Sequence, residues 1–294
     1  MYDIKGIYEA YSVDEAINIL KEHPEVKIIG GGSDVLVKVR EGKMAGAELL
    51  SIQLIDELRG VTLEDDGTIK IGSMTSFSHI TNDEIIKKYL PTLGEAVNTV
   101  GGPQLRNIAT IGGNICNGAP SADSAPTLFS YDAIVEIKGE EGVREVLIKD
   151  FYVGIGQVDL KPTEIVTGVK IKKDSYKGYV GHYYKYAMRN AMDIATSTCG
   201  ITLKLNEDLV VEDIRATYGV AGPVPLRTYD AEEFLKGKEL TDENMKEFAK
   251  KALDELSPRH SWRASKELRT QVLYEIAYRC LQESLKKHKG GKYA

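Results

Sequence analysis

Between Val100 and Pro126 the chain reads V-G-G-P-Q-L-R-N-I-A-T-I-G-G-N-I-C-N-G-A-P-S-A-D-S-A-P. Five of the 28 glycines and three of the nine prolines fall in this one stretch. Leu105, Ile108, Ile111 and Ile115 are apolar, but glycine pairs and prolines interrupt any helical or strand period. A solvent loop is rarely this long or this apolar. The segment therefore reads as irregular backbone held close against something large and polar.

A second glycine cluster lies upstream. Val26-Lys27-Ile28-Ile29 has the apolar content of a short strand and runs into Gly30-Gly31-Gly32-Ser33-Asp34, then into Val35 to Val39. Such a turn either bends the chain sharply or lets successive N–H groups converge on an anion. A Rossmann fingerprint fits it poorly. Gly30 and Gly32 match the first two glycines, Val35 stands at the third, and no βαβ unit of matching length follows.

Around these clusters the chain has ordinary punctuation. Ser12 and Glu15 form a capping box for a helix that ends at His23-Pro24. Asp65-Asp66-Gly67 marks a hairpin between Val61–Leu63 and Thr68–Ile71, and a second hairpin turns at 139–142. Helical patterns cover 75–89 and 93–100, and a further strand covers 164–171. The polar run 172–178 reads as a linker and a domain boundary. Beyond it, 195–205 and 214–219 read as strands, and 241–256 and 265–287 as amphipathic helices. The last residues, Lys289 to Lys292, are expected to fray.

Charge and composition exclude several function classes. A net charge of -6 argues against a nucleic-acid partner. No apolar run reaches the length of a membrane span, and Asp3 stands where a signal peptide would be basic, so a cytoplasmic protein is expected. Cys116, Cys199 and Cys280 lie far apart, which leaves no Fe–S or zinc set and suggests buried thiols. The five histidines show no metal-ligand spacing, and neither G-x-S-x-G nor a P-loop is present. No catalytic residue and no metal site is therefore assigned. Residue types leave two readings of the two loops: structural turns, or two walls around a dinucleotide whose ribose or ring N–H Asp123 could meet. Tyr183, Tyr184 and Tyr186, with Lys185 among them, are either a strand at the core edge or an aromatic wall against a flat ring.

Taken together, Gly30 to Asp34, Gln104 to Asn114 and Pro120 to Pro126 resemble the FAD-binding subunit of molybdenum hydroxylases, the xanthine dehydrogenase family. Gly112 to Ala119, Tyr186 to Ile194 and Ser261 to Glu267 strengthen the resemblance to the separate FAD subunits of the bacterial members. The usual A-G-G-T-D/N motif has Gly30 for its alanine and Ser33 for its threonine here. The resemblance implies an α+β protein with a two-subdomain FAD-binding domain of the vanillyl-alcohol-oxidase type, residues 1–175, divided into about 1–55 and 56–175. A small C-terminal α+β domain, 177–290, would follow.

The resemblance also implies the site. The backbone of Lys27, Ile28, Ile29, Gly30, Gly31, Gly32, Ser33 and Asp34 would line the pyrophosphate. Ala109, Thr110, Ile111, Gly112, Gly113 and Asn114 would form the second wall. Asp123 would hold the flavin or ribitol end, and Ile165, Val166, Tyr184 and Lys185 would pack around the isoalloxazine. Partner chains carrying the molybdenum cofactor and [2Fe–2S] clusters would oxidise the substrate, and FAD would pass a hydride to NAD⁺. The complex would be a heterotrimer or a dimer of heterotrimers. The alternatives are a related hydroxylase acting on nicotinate, an aldehyde or another purine, a free-standing flavin oxidase, and a scaffold that no longer binds flavin.

Overall fold

The computed structural model describes residues 3–290, so Met1, Tyr2 and the Gly291–Lys292 part of the expected frayed tail lie outside it. The chain begins with β1 (Ile4–Glu9), α1 (Val13–Glu22), β2 (Lys27–Ile29), α2 (Val35–Arg40) and β3 (Ala47–Ser51). Ser12 caps α1 by accepting from Glu15 N, and the buried stripe Val13, Ala16, Ile17, Leu20 turns inward. The three strands are parallel in the order β1-β3-β2, with β3 central and its Leu49 and Leu50 buried. Parallel strands need crossovers, and α1 and α2 supply them. The segment after Gly30–Asp34 is thus a helix of six residues, shorter than a Rossmann crossover.

The second layer starts with the hairpin β4 (Val61–Leu63) and β5 (Ile69–Gly72), whose turn contains Gly67 at φ +85°. Three helices follow: α3 (Phe77–Asn82), α4 (Glu84–Tyr89) and α5 (Pro91–Asn98). The helical pattern over 75–89 is divided at Asp83, which caps α4 with its carboxylate. The glycine- and proline-rich stretch then differs from its expected irregularity. It holds α6 (Pro103–Ile108), α7 (Ile111–Cys116) and α8 (Ser124–Ser130), each of six or seven residues. Pro103 opens α6, where a missing N–H costs nothing. Thr110 caps α7. Helices this short gain little from propensity, and tertiary contacts hold them, which is why no period marks them.

The hairpin β6 (Ile134–Gly139) and β7 (Gly142–Leu147) leads through α9 (Ile148–Phe151), β8 (Tyr152–Gly154) and β9 (Gln157–Val158) to β10 (Ile165–Ile171). The resulting antiparallel sheet has the order β4-β5-β10-β6-β7. Its core takes Ile69, Ile71, Val135, Ile137, Val169 and the inner faces of the helices. Each such side chain contributes about 1.5–3 kcal/mol by leaving water.

The polar run expected as a linker contains α10 (Lys173–Tyr176), and the buried Tyr176 hydroxyl donates to Gly67 O at 2.6 Å. Beyond it, β11 (Val180–Tyr186), β12 (Ser197–Leu205), β13 (Val211–Gly219) and β14 (Leu226–Arg227) form an antiparallel sheet in sequence order. The helices α11 (Tyr229–Leu235), α12 (Asp242–Ala252) and α13 (Lys266–Lys289) pack with it around a separate core of Ile201, Leu203, Phe248, Leu273 and Ile276. The wholly buried α8 joins the layers. Thr202 of β12 donates to Ser130 O at 2.9 Å, and a Cβ on Gly200 would lie 3.1 Å from the Pro126 backbone.

Candidate cofactor cleft

A cleft of about 360 Å³ opens between the first subdomain and the helices of the second. That volume lies within the usual ~300–1,000 Å³ of small-molecule sites. One wall is the turn after β2, Gly30 to Asp34, with Ile28 and Ile52 behind it. The other wall is Ala109, Thr110, Gly112, Gly113 and Asn114, with Ile165 and Val166 of β10 at the floor.

The segment 73–77 holds the second wall in place. Phe77 N donates to Ala109 O at 3.1 Å, Ile111 N to Thr75 O at 3.2 Å, and Gly112 N to Ser73 O at 2.8 Å. Glycine is required where the two walls meet. A Cβ on Gly31 would fall 1.8 Å from Ile108 O, and one on Gly112 would fall 2.6 Å from Ser73 Cβ. Gly32 sits at φ +76°, the left-handed region. Gly113 differs from these. It is exposed on the cleft wall, and the nearest atom to a Cβ there is Thr110 Oγ1 at 3.0 Å.

The cleft carries unspent hydrogen-bonding capacity. Among the described residues none accepts from the backbone N–H groups of Gly31, Gly32, Ser33 or Asp34, all four of which line it. Ser73 lines the cleft, and its buried Oγ has no partner among the described residues. Thr110 Oγ1 accepts from Gly113 N at 3.2 Å, which leaves its own proton to donate. Asn114 Oδ1 accepts from Ser124 Oγ at 2.6 Å. Lys38, one helical turn after Asp34, lines the cleft and reaches Asn117 Oδ1 at 3.3 Å. Consecutive free N–H groups with a cation nearby suit an anionic centre such as a pyrophosphate. Apolar side chains from Met74, Phe77, Val100, Leu105 and Leu160 suit flat rings on either side of it. Cys116 also lines the cleft, and burial pushes its thiol up to about 12, which disfavours the thiolate.

Six residues expected at the site do not line the cleft. Lys27 is exposed beside it. Ile29 packs behind the turn, where a Cβ on Gly32 would meet its Cδ1 at 3.3 Å. Ile111 is fully buried in the core of the second layer. Asp123 is 6 % exposed, and its two oxygens take Tyr183 Oη at 2.7 Å and Lys185 Nζ at 2.8 Å. It sits at the start of α8, which faces the C-terminal sheet, so its partners come from β11 and not from the cleft. Burial raises its carboxyl above the usual range, against the pull of Lys185 and Tyr183. Lys185 also donates to Thr99 O at 3.1 Å. Tyr184 packs against the C-terminal core and receives Arg279 Nη1 at 3.3 Å.

Sequence reasoning missed Lys38, Ser73, Met74, Phe77 and Val100. Lys38 had a usable signal: read as a helix, Val35–Arg40 places it four residues from Asp34 on the same face. The others have none, because they reach the cleft through pairing of β5 with β10 and packing of α3 against α5 and α6.

Residues 2–172 match the family model described as the FAD binding domain in molybdopterin dehydrogenase, and residues 182–284 match the CO dehydrogenase flavoprotein C-terminal domain. The chain is 37% identical over 285 residues to the xanthine dehydrogenase FAD-binding subunit of Escherichia coli, covering 97% of each. It is 28% identical to the glyceraldehyde dehydrogenase medium chain of Sulfolobus acidocaldarius, over 93% of this chain and 96% of that one. It superimposes on a chain of carbon monoxide dehydrogenase from Hydrogenophaga pseudoflava with a TM-score of 0.92, 26% identity and full coverage of both. The α+β fold expected from the resemblance is the fold of these relatives. The chain therefore belongs to the FAD-binding subunits of the molybdopterin-dependent dehydrogenases of the xanthine dehydrogenase type.

Proposed function

We propose that this chain binds FAD in the cleft and serves as the electron-transfer subunit of a xanthine dehydrogenase-type molybdenum hydroxylase. The observation that carries the reading is the run Gly31 to Asp34 along the cleft, whose N–H groups have no acceptor among the described residues, opposite the Thr110–Asn114 wall. Gly30 to Asp34 would hold the pyrophosphate, with Lys38 balancing its charge. Thr110 and Ser73 would donate from hydroxyls, and Gly113 would let the cofactor come within contact of the backbone. Ile165, Val166, Leu105 and Phe77 would enclose the rings and exclude water. Asp123 and Lys185 would set the position of β11 against α8, with Tyr184 behind them on the C-terminal core. Bound FAD would supply the redox chemistry, taking single electrons from [2Fe–2S] clusters and giving a hydride to NAD⁺.

Within this reading residues 1–175 form the cofactor-binding unit and 177–290 a second unit. The separate core of the C-terminal sheet supports that division. Partner chains would carry the molybdenum cofactor and the iron–sulfur clusters, in a heterotrimer or a dimer of heterotrimers. Three unbridged thiols support a reducing compartment such as the cytoplasm. The 37% identity over nearly the whole chain favours a purine such as xanthine as the substrate oxidised on the partner. An aldehyde is the second reading, favoured by the likeness to the archaeal medium chain.

The test is an absorbance spectrum of the purified chain before and after incubation with FAD. Flavin bands at one equivalent are expected, and their absence after incubation would sink the proposal. Anaerobic mixing of the loaded protein with NADH addresses the acceptor separately. Bleaching of the flavin band is expected, and an unbleached flavin would remove NAD⁺ while leaving FAD in place.

A further inference from the structure

The two walls of the cleft touch at two places. At one, Gly31 lies so close to Ile108 that a Cβ would fall 1.8 Å from its carbonyl oxygen. At the other, Lys38 Nζ of α2 donates to Asn117 Oδ1 at 3.3 Å, across 79 residues of sequence. Among the described residues this is the only hydrogen bond between 30–40 and 100–118. Lys38 and Asn117 both line the cleft. Ser33 and Asp34 on one wall, and Thr110 and Asn114 on the other, fall between the two contacts in sequence and line it too.

The two ends of the second contact differ. Asn117 is held by its backbone. It closes α7, with its N–H on Gly113 O at 3.2 Å. Gly118 behind it sits at φ +61° and accepts from Gly156 N at 3.0 Å. A Cβ on Gly118 would lie 2.7 Å from Gln157 N, so the turn between β8 and β9 fixes where the Asn117 amide stands. Lys38 is an exposed, flexible side chain on a helix of six residues. An ammonium has three donors, and Asn117 takes one. The acceptor is also neutral. An aspartate there would bind the ammonium more tightly and cancel its charge. An amide oxygen holds it in place and leaves the charge to the cleft.

We infer that Asn117 is the positioning residue for Lys38, and that the pair is a strap which closes the cleft over an anionic cofactor and slows its release. A molecule lodged between the walls leaves only when they part, so a contact across them acts on the rate of departure. That the cofactor is FAD rests on the function proposed above, whereas the contact between the walls does not.

The experiment makes two measurements on the full chain. The first is the rate at which FAD leaves the loaded protein, from the flavin absorbance retained after dilution and rapid desalting at timed intervals. Asn117→Leu and Lys38→Met should each speed release by roughly three- to tenfold. The double variant should release FAD no faster than Lys38→Met. Asn117→Gln, which keeps the amide oxygen, should restore most of the slow release. Asn117→Asp should flatten the dependence of FAD affinity on ionic strength as Lys38→Met does, because the charge is cancelled. An unchanged release rate in Asn117→Leu would overturn the inference. So would further acceleration in the double variant, or a wild-type salt slope in Asn117→Asp. The second measurement is amide hydrogen exchange over 35–40 before FAD is added, which Asn117→Leu and Lys38→Met should speed alike. Exchange that responds in a chain that never takes up FAD would refute the flavin reading alone, since the strap would then be seen without it. Normal FAD uptake with neither release nor exchange responding would remove the strap and leave the flavin reading in place.

Discussion

Asp123 Oδ2 accepts from Lys185 Nζ at 2.8 Å across 62 residues of sequence, and both side chains are about nine-tenths buried. The pair fastens α8, which lies against the cleft-forming helices, to the first strand of the C-terminal sheet. With Tyr183 on the other oxygen, the carboxylate has few free positions left.

Breaking this pair should cost more than removing it. Lys185→Met leaves a buried carboxylate whose protonation burial already favours, and about 3–5 kcal/mol of stability should be lost. Asp123→Asn with Lys185→Met should recover most of that, which a double-mutant cycle by denaturant titration would measure. Asp123→Ala should also cost roughly 1–3 kcal/mol of stability for the Tyr183 and Lys185 groups left unpaired. Unchanged FAD content in that variant would limit Asp123 to a structural role.

Two glycines should fail in different ways. Gly31→Ala drives a Cβ into the Ile108 carbonyl, a backbone atom that cannot move aside, and should destabilise the fold by about 1–3 kcal/mol or more. Gly113→Val, on the open wall, should keep its circular dichroism spectrum and lose about tenfold or more in FAD affinity, because the branches occupy cofactor space. A Gly113→Val protein that titrates with FAD normally would rule out close backbone approach there.

Lys38→Ala should weaken FAD binding by about 1 kcal/mol and flatten its dependence on ionic strength, since a cation near a dianionic pyrophosphate acts through a screened field. Fluorescence titrations of flavin at two salt concentrations would measure both effects. Equal slopes for the two proteins would place Lys38 away from the phosphates.

Acid should loosen the central sheet through Glu136. Burial alone would raise this carboxyl, but Lys170, Lys70 and Thr167 hold it at about 2, below its ordinary 4.5. A depressed folded value means the contribution is complete above pH 4.5 and disappears as pH falls toward 2. Solvent around the lysines limits it to about 1–3 kcal/mol. Glu136→Gln should flatten thermal midpoint against pH across that window, and a profile parallel to the wild type would refute the assignment.

The local punctuation was readable because it depends on neighbours in sequence. Ser12 caps α1, Asp66-Gly67 turns the first hairpin, and Thr241 caps α12, each through contacts within a few residues. The three helices within 103–130 were not readable. Gly112 survives in a helix because Ser73 leaves no room for a Cβ, and that contact spans two elements.

The two glycine walls and their likeness to flavin subunits were thus set by sequence alone, since backbone freedom and motif order are properties of the chain itself. Which side chains face the cleft was decided only on folding. Lys38 and Ser73 reach it, while Asp123 and Lys185 find each other, because strand pairing and the packing of α8 set distances that sequence separation does not contain.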